Sequence, residues 1–100
     1  MYQRSSDSFL GLPFNISSYS LLVYIIGKET ELKPGNLYIS LGDTHIYEQH
    51  MYAVKEQLTR IPSNFPQLDF DKKNIGEYSY DDFKLINYNP QKIIKAEMIA

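Results

Sequence analysis

The stretch FNISSYSLLVYII, from Phe14 to Ile26, constrains this chain more than any other. Wound as a helix, it carries apolar side chains around nearly its whole circumference. Pro13 falls in the first turn, which tolerates its missing N–H, and Gly27 stands where a C-terminal cap belongs. A helix apolar all round is a buried helix. The chain has 100 residues, one domain at most. A chain of that size buries roughly 60–70% of the surface its unfolded form exposes. Enclosing a central helix on every side needs more protein than this. In so short a chain such a helix is odd, and wherever its apolar face stays uncovered, poor stability or self-association is expected.

The flanking segments mix strand and helix signals. Residues 1–10 alternate loosely and read as a strand. After the turn signal Pro34-Gly35, residues 36–41 read as a second strand ending at Gly42-Asp43. Residues 48–60 carry Met51, Val54 and Leu58 on one side, an amphipathic helix that Ile61-Pro62 terminates. Residues 67–70 and 84–88 offer two further short strands, with an exposed charged loop over 71–80. The tail, residues 93–100, is apolar for a chain end, and ends fray unless something holds them. The fold class expected is α+β: a β-sheet packed against a long buried helix, plus a second amphipathic helix, with residues 1–100 as a single unit.

Ten basic and twelve acidic residues give a net charge of −2 and are spread along the chain, so no basic tract points to nucleic acid or an anionic membrane. The longest apolar run, Leu21 to Ile26, falls far short of the ~20 residues of a spanning helix, and no signal-peptide pattern opens the chain. A cytoplasmic protein is expected, without nucleic-acid or membrane partners. Cysteine is absent, which removes disulfides, thiolate metal sites and a Cys nucleophile from these residues. His45 and His50 match no ligand spacing, so no metal is expected. Ser5, Asp43 and His45 could suggest a hydrolase, but the nucleophile elbow G-x-S-x-G is missing, as are the P-loop and the dinucleotide fingerprint.

What remains is a set of polar groups among apolar neighbours. Arg4 beside Ser5 at a strand end can hold a phosphate by charge-assisted hydrogen bonds, or can be a surface Arg near a turn. Asp7 can accept from the N–H groups of a heterocycle or close a turn. The Asn15 carboxamide can match an imide edge, donor to acceptor and acceptor to donor, or be a cap or a satisfied buried amide. Strand alternation sends His45 and Tyr47 to one side and Ile46 to the other, so imidazole and phenol can together grip a sugar hydroxyl.

In order, Gln3-Arg4-Ser5-x-Asp7-x-Phe9-Leu10-Gly11-Leu12-Pro13-Phe14-Asn15-Ile16, then Ser18-Tyr19, then Leu41-Gly42-Asp43-Thr44-His45-Ile46-Tyr47, then Tyr88-Asn89-Pro90 and Met98-Ile99-Ala100 resemble the C-terminal portion of thymidylate synthase along the whole chain. The resemblance implies dUMP contacts by Arg4, Ser5, Ser6, Asp7, Asn15, His45, Ile46 and Tyr47. Arg4 and Ser5 would hold the phosphate, Asn15 the uracil imide edge, and His45 and Tyr47 the deoxyribose 3′-hydroxyl. It implies folate contacts by Asp7, Gly11, Phe14 and Ile99, with 5,10-methylenetetrahydrofolate as cosubstrate. It also implies a homodimer, or pairing with a complementary N-terminal half.

Ser6 stands where the family commonly has Cys, at a position that is not the nucleophile. Asn15 argues for uracil, since related hydroxymethylases acting on cytosine carry Asp there. One departure matters more. The family attacks uracil C6 with a Cys thiolate from a Pro-Cys-His segment upstream of Gln-Arg-Ser, and this chain has no Cys. The resemblance therefore implies a C-terminal fragment with binding residues, without a nucleophile, and inactive by itself.

Overall fold

The structure is a computed structural model and describes residues 1–99, so Ala100, the last residue of the resemblance, lies outside it. The element order is strand β1 (Tyr2–Asp7), helix α1 (Gly11–Thr30), strand β2 (Ser40–His45), a 3-10 turn at Glu48–His50 running into helix α2 (Met51–Leu58), strand β3 (Gln67–Asp69), a 3-10 turn at Tyr80–Asp82 and strand β4 (Lys84–Ile86). The α+β expectation holds. There are two small sheets among the described residues rather than one: β1 pairs β2 in parallel, and β3 pairs β4 antiparallel. A parallel pair needs a long crossover, and α1 is that crossover.

The register of β1 and β2 runs from Tyr2 opposite Ser40 to Asp7 opposite His45. The second strand therefore runs later than the alternation over 36–41 predicts. Met1 bridges the approach to it, its amino group donating to the Tyr38 carbonyl at 2.7 Å and its carbonyl accepting from the Ser40 N–H at 2.9 Å. Gly42 faces Arg4 across this ladder. A Cβ on it would sit 2.5 Å from the Arg4 carbonyl oxygen and 2.9 Å from the Tyr2 hydroxyl, so only glycine permits this approach. The first strand is likewise shorter than residues 1–10, because Asp7 turns the chain into α1.

Helix α1 departs from expectation twice. It does not stop at Gly27, which is buried within it. A Cβ there would lie 2.9 Å from the Leu32 carbonyl and 3.2 Å from Pro34, so this glycine admits the returning chain. The helix ends instead at Glu31, in the left-handed conformation at φ 59°, with the Leu32 N–H donating to the Gly27 carbonyl at 2.9 Å. Nor is the long helix buried in this chain. β1 and the 32–38 return cover only part of it, leaving Phe14, Ile16, Tyr19, Leu22, Tyr24 and Ile26 exposed.

The second helix breaks into a 3-10 turn and the eight residues of α2, with Ala53 fully buried. Beyond β3, Phe70 packs against Tyr78 and Phe83 at ring separations of 5.9 and 5.2 Å. Lys28 of α1 lies over the Phe70 ring and donates to the Phe70 carbonyl. Ser79 and Asp82 form a reciprocal capping box, and Lys73 pairs with Asp82 at 2.6 Å. The tail has no regular structure, yet it is held. Tyr52 donates to the Lys95 carbonyl at 2.6 Å, Arg60 to the Lys92 carbonyl, and Gln91 to the Ile61 carbonyl at 2.7 Å. No helix of the described residues is long and apolar enough to cross a membrane.

Candidate functional site

The parallel ladder lays the block from Gln3 to Asn15 beside the block from Gly42 to Tyr47. Asp7 lies opposite His45, and the Ser8 N–H extends the pairing by donating to the His45 carbonyl at 2.9 Å. Two groups of side chains gather at this carboxyl end of the strands. Open α/β units characteristically bind ligands there.

The first group is at the strand-to-helix turn. The Asp7 carboxylate accepts from the N–H groups of Phe9, Leu10 and Gly11 at 3.0, 3.3 and 3.3 Å. It satisfies donors that a helix start leaves without intrahelical partners, so its turn-closing role is visible directly. One turn further along α1, Asn15 presents its Oδ1 to Gln3, whose Nε2 donates at 3.0 Å. Gly11 sits between them. A Cβ on it would come within 3.5 Å of the Asp7 Cβ and 3.9 Å of Asn15 Oδ1, so the small residue keeps the surface between carboxylate and amide open.

The second group is aromatic. His45 and Tyr47 meet edge to face with centroids 5.1 Å apart, on the common side that alternation predicts, while Ile46 is exposed. His45 Nδ1 lies 3.5 Å from the Asp43 carboxylate. Behind them His50, 1% exposed, packs against Tyr47 at 5.7 Å and Phe9 at 5.5 Å. His50 Nε2 lies 2.7 Å from the Glu97 carbonyl. A carbonyl can only accept, so this nitrogen carries the proton, and the contact brings the tail to the edge of the site.

Arg4 is exposed on β1, Ser5 is half-buried, and Ser6, 1% exposed, is buried with no partner for its hydroxyl among the described residues. Phe14 is 74% exposed on α1, an aromatic face open to a planar ligand, and Ile99 is half-buried in the tail. Two open cavities lie elsewhere, one lined by Gln57, Arg60, residues 62–66 and residues 88–91 with Ile94, another between α1 and residues 34–38. None of the candidate residues lines either of them. No cluster of three or more His, Asp or Glu able to hold a metal occurs among the described residues. Two residues of the site carry no signal of their role in the sequence: Gln3, which holds Asn15, and His50, which joins the aromatic group to the tail. The need of the Asn15 amide for a partner is the one indirect pointer to Gln3.

All of this chain, residues 1–100, matches the family model described as thymidylate synthase. The chain belongs to the thymidylate synthase family. It is 50% identical over 99 residues to the thymidylate synthase of Mycoplasma pneumoniae, which covers 98% of this chain and 34% of that protein. It is 45% identical over 100 residues to the thymidylate synthase of Buchnera aphidicola, covering 98% of this chain and 38% of that protein. A bifunctional dihydrofolate reductase-thymidylate synthase of Paramecium tetraurelia is 48% identical over 99 residues, 98% of this chain and 21% of that protein. The chain thus spans between a fifth and two fifths of the length of these curated relatives. Within the thymidylate synthase family, the matched segment holds the strand-to-helix turn, the aromatic group and the tail.

Proposed function

We propose that this chain supplies the nucleotide- and folate-binding side of a thymidylate synthase, which converts dUMP to dTMP with 5,10-methylenetetrahydrofolate as one-carbon donor and reductant. The observation that carries the reading is the β1–β2 register. It sets Asp7 opposite His45, with Asn15 tied back to the same strand through Gln3, which supports a single ligand reaching both blocks.

In this reading Arg4 and Ser5 hold the phosphate, and Ser6 and Ile46 are among the residues in contact with the nucleotide. Asn15 reads N3–H and O4 of uracil. His45 and Tyr47 hold the 3′-hydroxyl. Asp7 orders the turn with its carboxylate and keeps an acceptor position for the folate ring, because a carboxylate has about four acceptor positions and three are used. Phe14, open and aromatic, and Gly11, without a side chain, fit a flat heterocycle lying over this surface, and Ile99 would close it from the tail. When bound, the folate supplies the one-carbon unit and the hydride. Covalent attack on uracil C6 makes C5 nucleophilic, and without a cysteine this chain cannot make that attack. A complementary N-terminal half carrying the cysteine provides it, and the intact enzyme is a cytoplasmic homodimer. A hydroxymethylase of cytosine is the weaker alternative, because Asn15 offers uracil a donor at position 4.

The test is tritium release from 5-tritiated dUMP in the presence of the folate. The chain alone should give none above a no-protein control. A chimera carrying this chain in place of the matching third of the Mycoplasma pneumoniae thymidylate synthase should give release. Release by the chain alone, or none from a folded chimera, would refute the reading.

A further inference from the structure

Gln3 makes two contacts with one nitrogen. Its Nε2 donates to the Ser5 main-chain carbonyl at 3.1 Å and to Asn15 Oδ1 at 3.0 Å. The Ser5 carbonyl can only accept, so it decides which end of the Gln3 amide faces inward. Both Nε2 protons are then committed. The Gln3 Oε1 is buried with no partner among the described residues, so nothing on the oxygen side offsets that choice. Asn15 must in turn present its oxygen to Gln3. A flipped Asn15 would set NH₂ against NH₂, losing one hydrogen bond and leaving buried donors unpaired.

We infer that Gln3 is a specificity-determining positioning residue: it locks the Asn15 amide in the flip that points the NH₂ toward a carbonyl at position 4 of a pyrimidine. The inference rests on the reading of Asn15 as the base reader. A chain of direction then runs from the Ser5 main chain, through Gln3, to Asn15 and the base. Asn15 Oδ1 keeps a second lone pair for N3–H of a uracil. A cytosine, with an amino group at position 4 and a bare N3, meets a donor where it needs an acceptor.

Two variants separate the lock from mere packing. Gln3→Met keeps the length and apolar stem but lets Asn15 adopt either flip. Gln3→Glu presents only acceptors to Asn15, so Asn15 turns its NH₂ to Glu and its oxygen to the base. The measurement is the ratio of Kd values for dUMP and dCMP, by calorimetry, in the chimera defined above. Gln3→Met should reduce the preference for dUMP at least tenfold, about 1.4 kcal/mol, and Gln3→Glu should reduce it further, toward dCMP. A packing role would weaken both nucleotides alike, and an unchanged ratio overturns the inference. Asn15→Asp is the control. If it too leaves the ratio unchanged, the base-reading role of Asn15 fails; if it shifts the ratio and the Gln3 variants do not, only the lock fails. A second readout needs no activity and no nucleotide. In the ¹⁵N,¹³C-labelled 100-residue chain, a through-hydrogen-bond coupling should link Gln3 Nε2 to Asn15 Cγ. Its absence, or the reverse coupling from Asn15 Nδ2 to Gln3 Cδ, overturns the lock.

Discussion

In the corner made by residues 67–86, Phe70 is 4% exposed, and its ring and those of Tyr78 and Phe83 close a core from residues near one another in the chain, with Lys28 Nζ of α1 over the Phe70 ring. In α1 a larger stock of apolar side chains closes nothing, and aromatic and aliphatic residues stay exposed along its length. The difference is geometric rather than compositional. Three rings can shield one another at a bend, whereas a helix apolar all round needs surfaces on every side, and a two-stranded sheet covers one. Sheets of two strands are marginal when alone, and parallel strands are ordinarily covered on both faces. The rings of the corner shield one another, with α1 adding Lys28 at their edge, whereas the β1–α1–β2 unit leaves most of its helix uncovered.

The comparison is tested most severely by Phe70→Ala. It should cost about 3–5 kcal/mol, enough to open the corner, with amide exchange accelerating over residues 67–86 and little change in β1. Equal acceleration in β1 would mean that the two regions form one cooperative unit. Gly42→Val attacks the other region. Its added atoms meet the Arg4 carbonyl and the Tyr2 hydroxyl, an overpacking expected to cost about 1–3 kcal/mol. Loss of cross-strand contacts between Ser5 and Asp43, with the Phe70 corner intact, is the expected NMR signature. Next in size, the exposed face of α1 should make the chain self-associate. Replacing Leu22 and Ile26 by Lys should weaken that association several-fold in sedimentation velocity, whereas Lys at Tyr80, exposed in the corner, should not.

How much of this was legible in the residues depended on whether local chemistry or a distant partner decided the outcome. The α1 helix and its apolar girdle were readable, because periodicity is a local signal. Its end was not. Gly27 has the composition of a cap, but its lack of a side chain is used to admit Leu32 and Pro34, which only the return of the chain reveals. The second strand was misplaced for a similar reason: residues 36–41 alternate acceptably, yet the ladder with β1 begins only at Ser40. At the candidate site, the shared side of His45 and Tyr47 follows from strand alternation, and Asp7 from turn chemistry. Gln3 did not emerge, since the letters of a sequence do not say which end of a carboxamide faces another. The long apolar tail was legible as something held, but not what holds it.

The smallest expected effect concerns acid. The hydrogen bond from Lys73, then those from Ser79, hold the Asp82 carboxyl below the usual carboxylate value. Its partner Lys73 is raised, chiefly by the same hydrogen bond. A depressed carboxyl contributes stability that is present above its unfolded pKa and lost as pH falls through the folded one. The capping box at Ser79 should therefore loosen below about pH 4, before the Phe70 rings separate. A raised lysine contributes below its unfolded pKa and loses that contribution at strongly alkaline pH. Asp82→Asn should abolish the acid step in amide exchange at Ser79 and leave exchange in β1 unchanged.

The tail is gripped in a particular way. Tyr52, Arg60 and His50 reach the carbonyls of Lys95, Lys92 and Glu97, and none of these contacts touches a tail side chain. The grip therefore recognises a path and not a spelling. The exposed letters at 92, 93, 95 and 97 can be rewritten, by drift or by design, and the segment will still be laid along the same track, with half-buried Ile94 and Ala96 the less free positions. The three holding side chains have no such freedom, since one hydroxyl, one guanidinium and one imidazole define where the track runs.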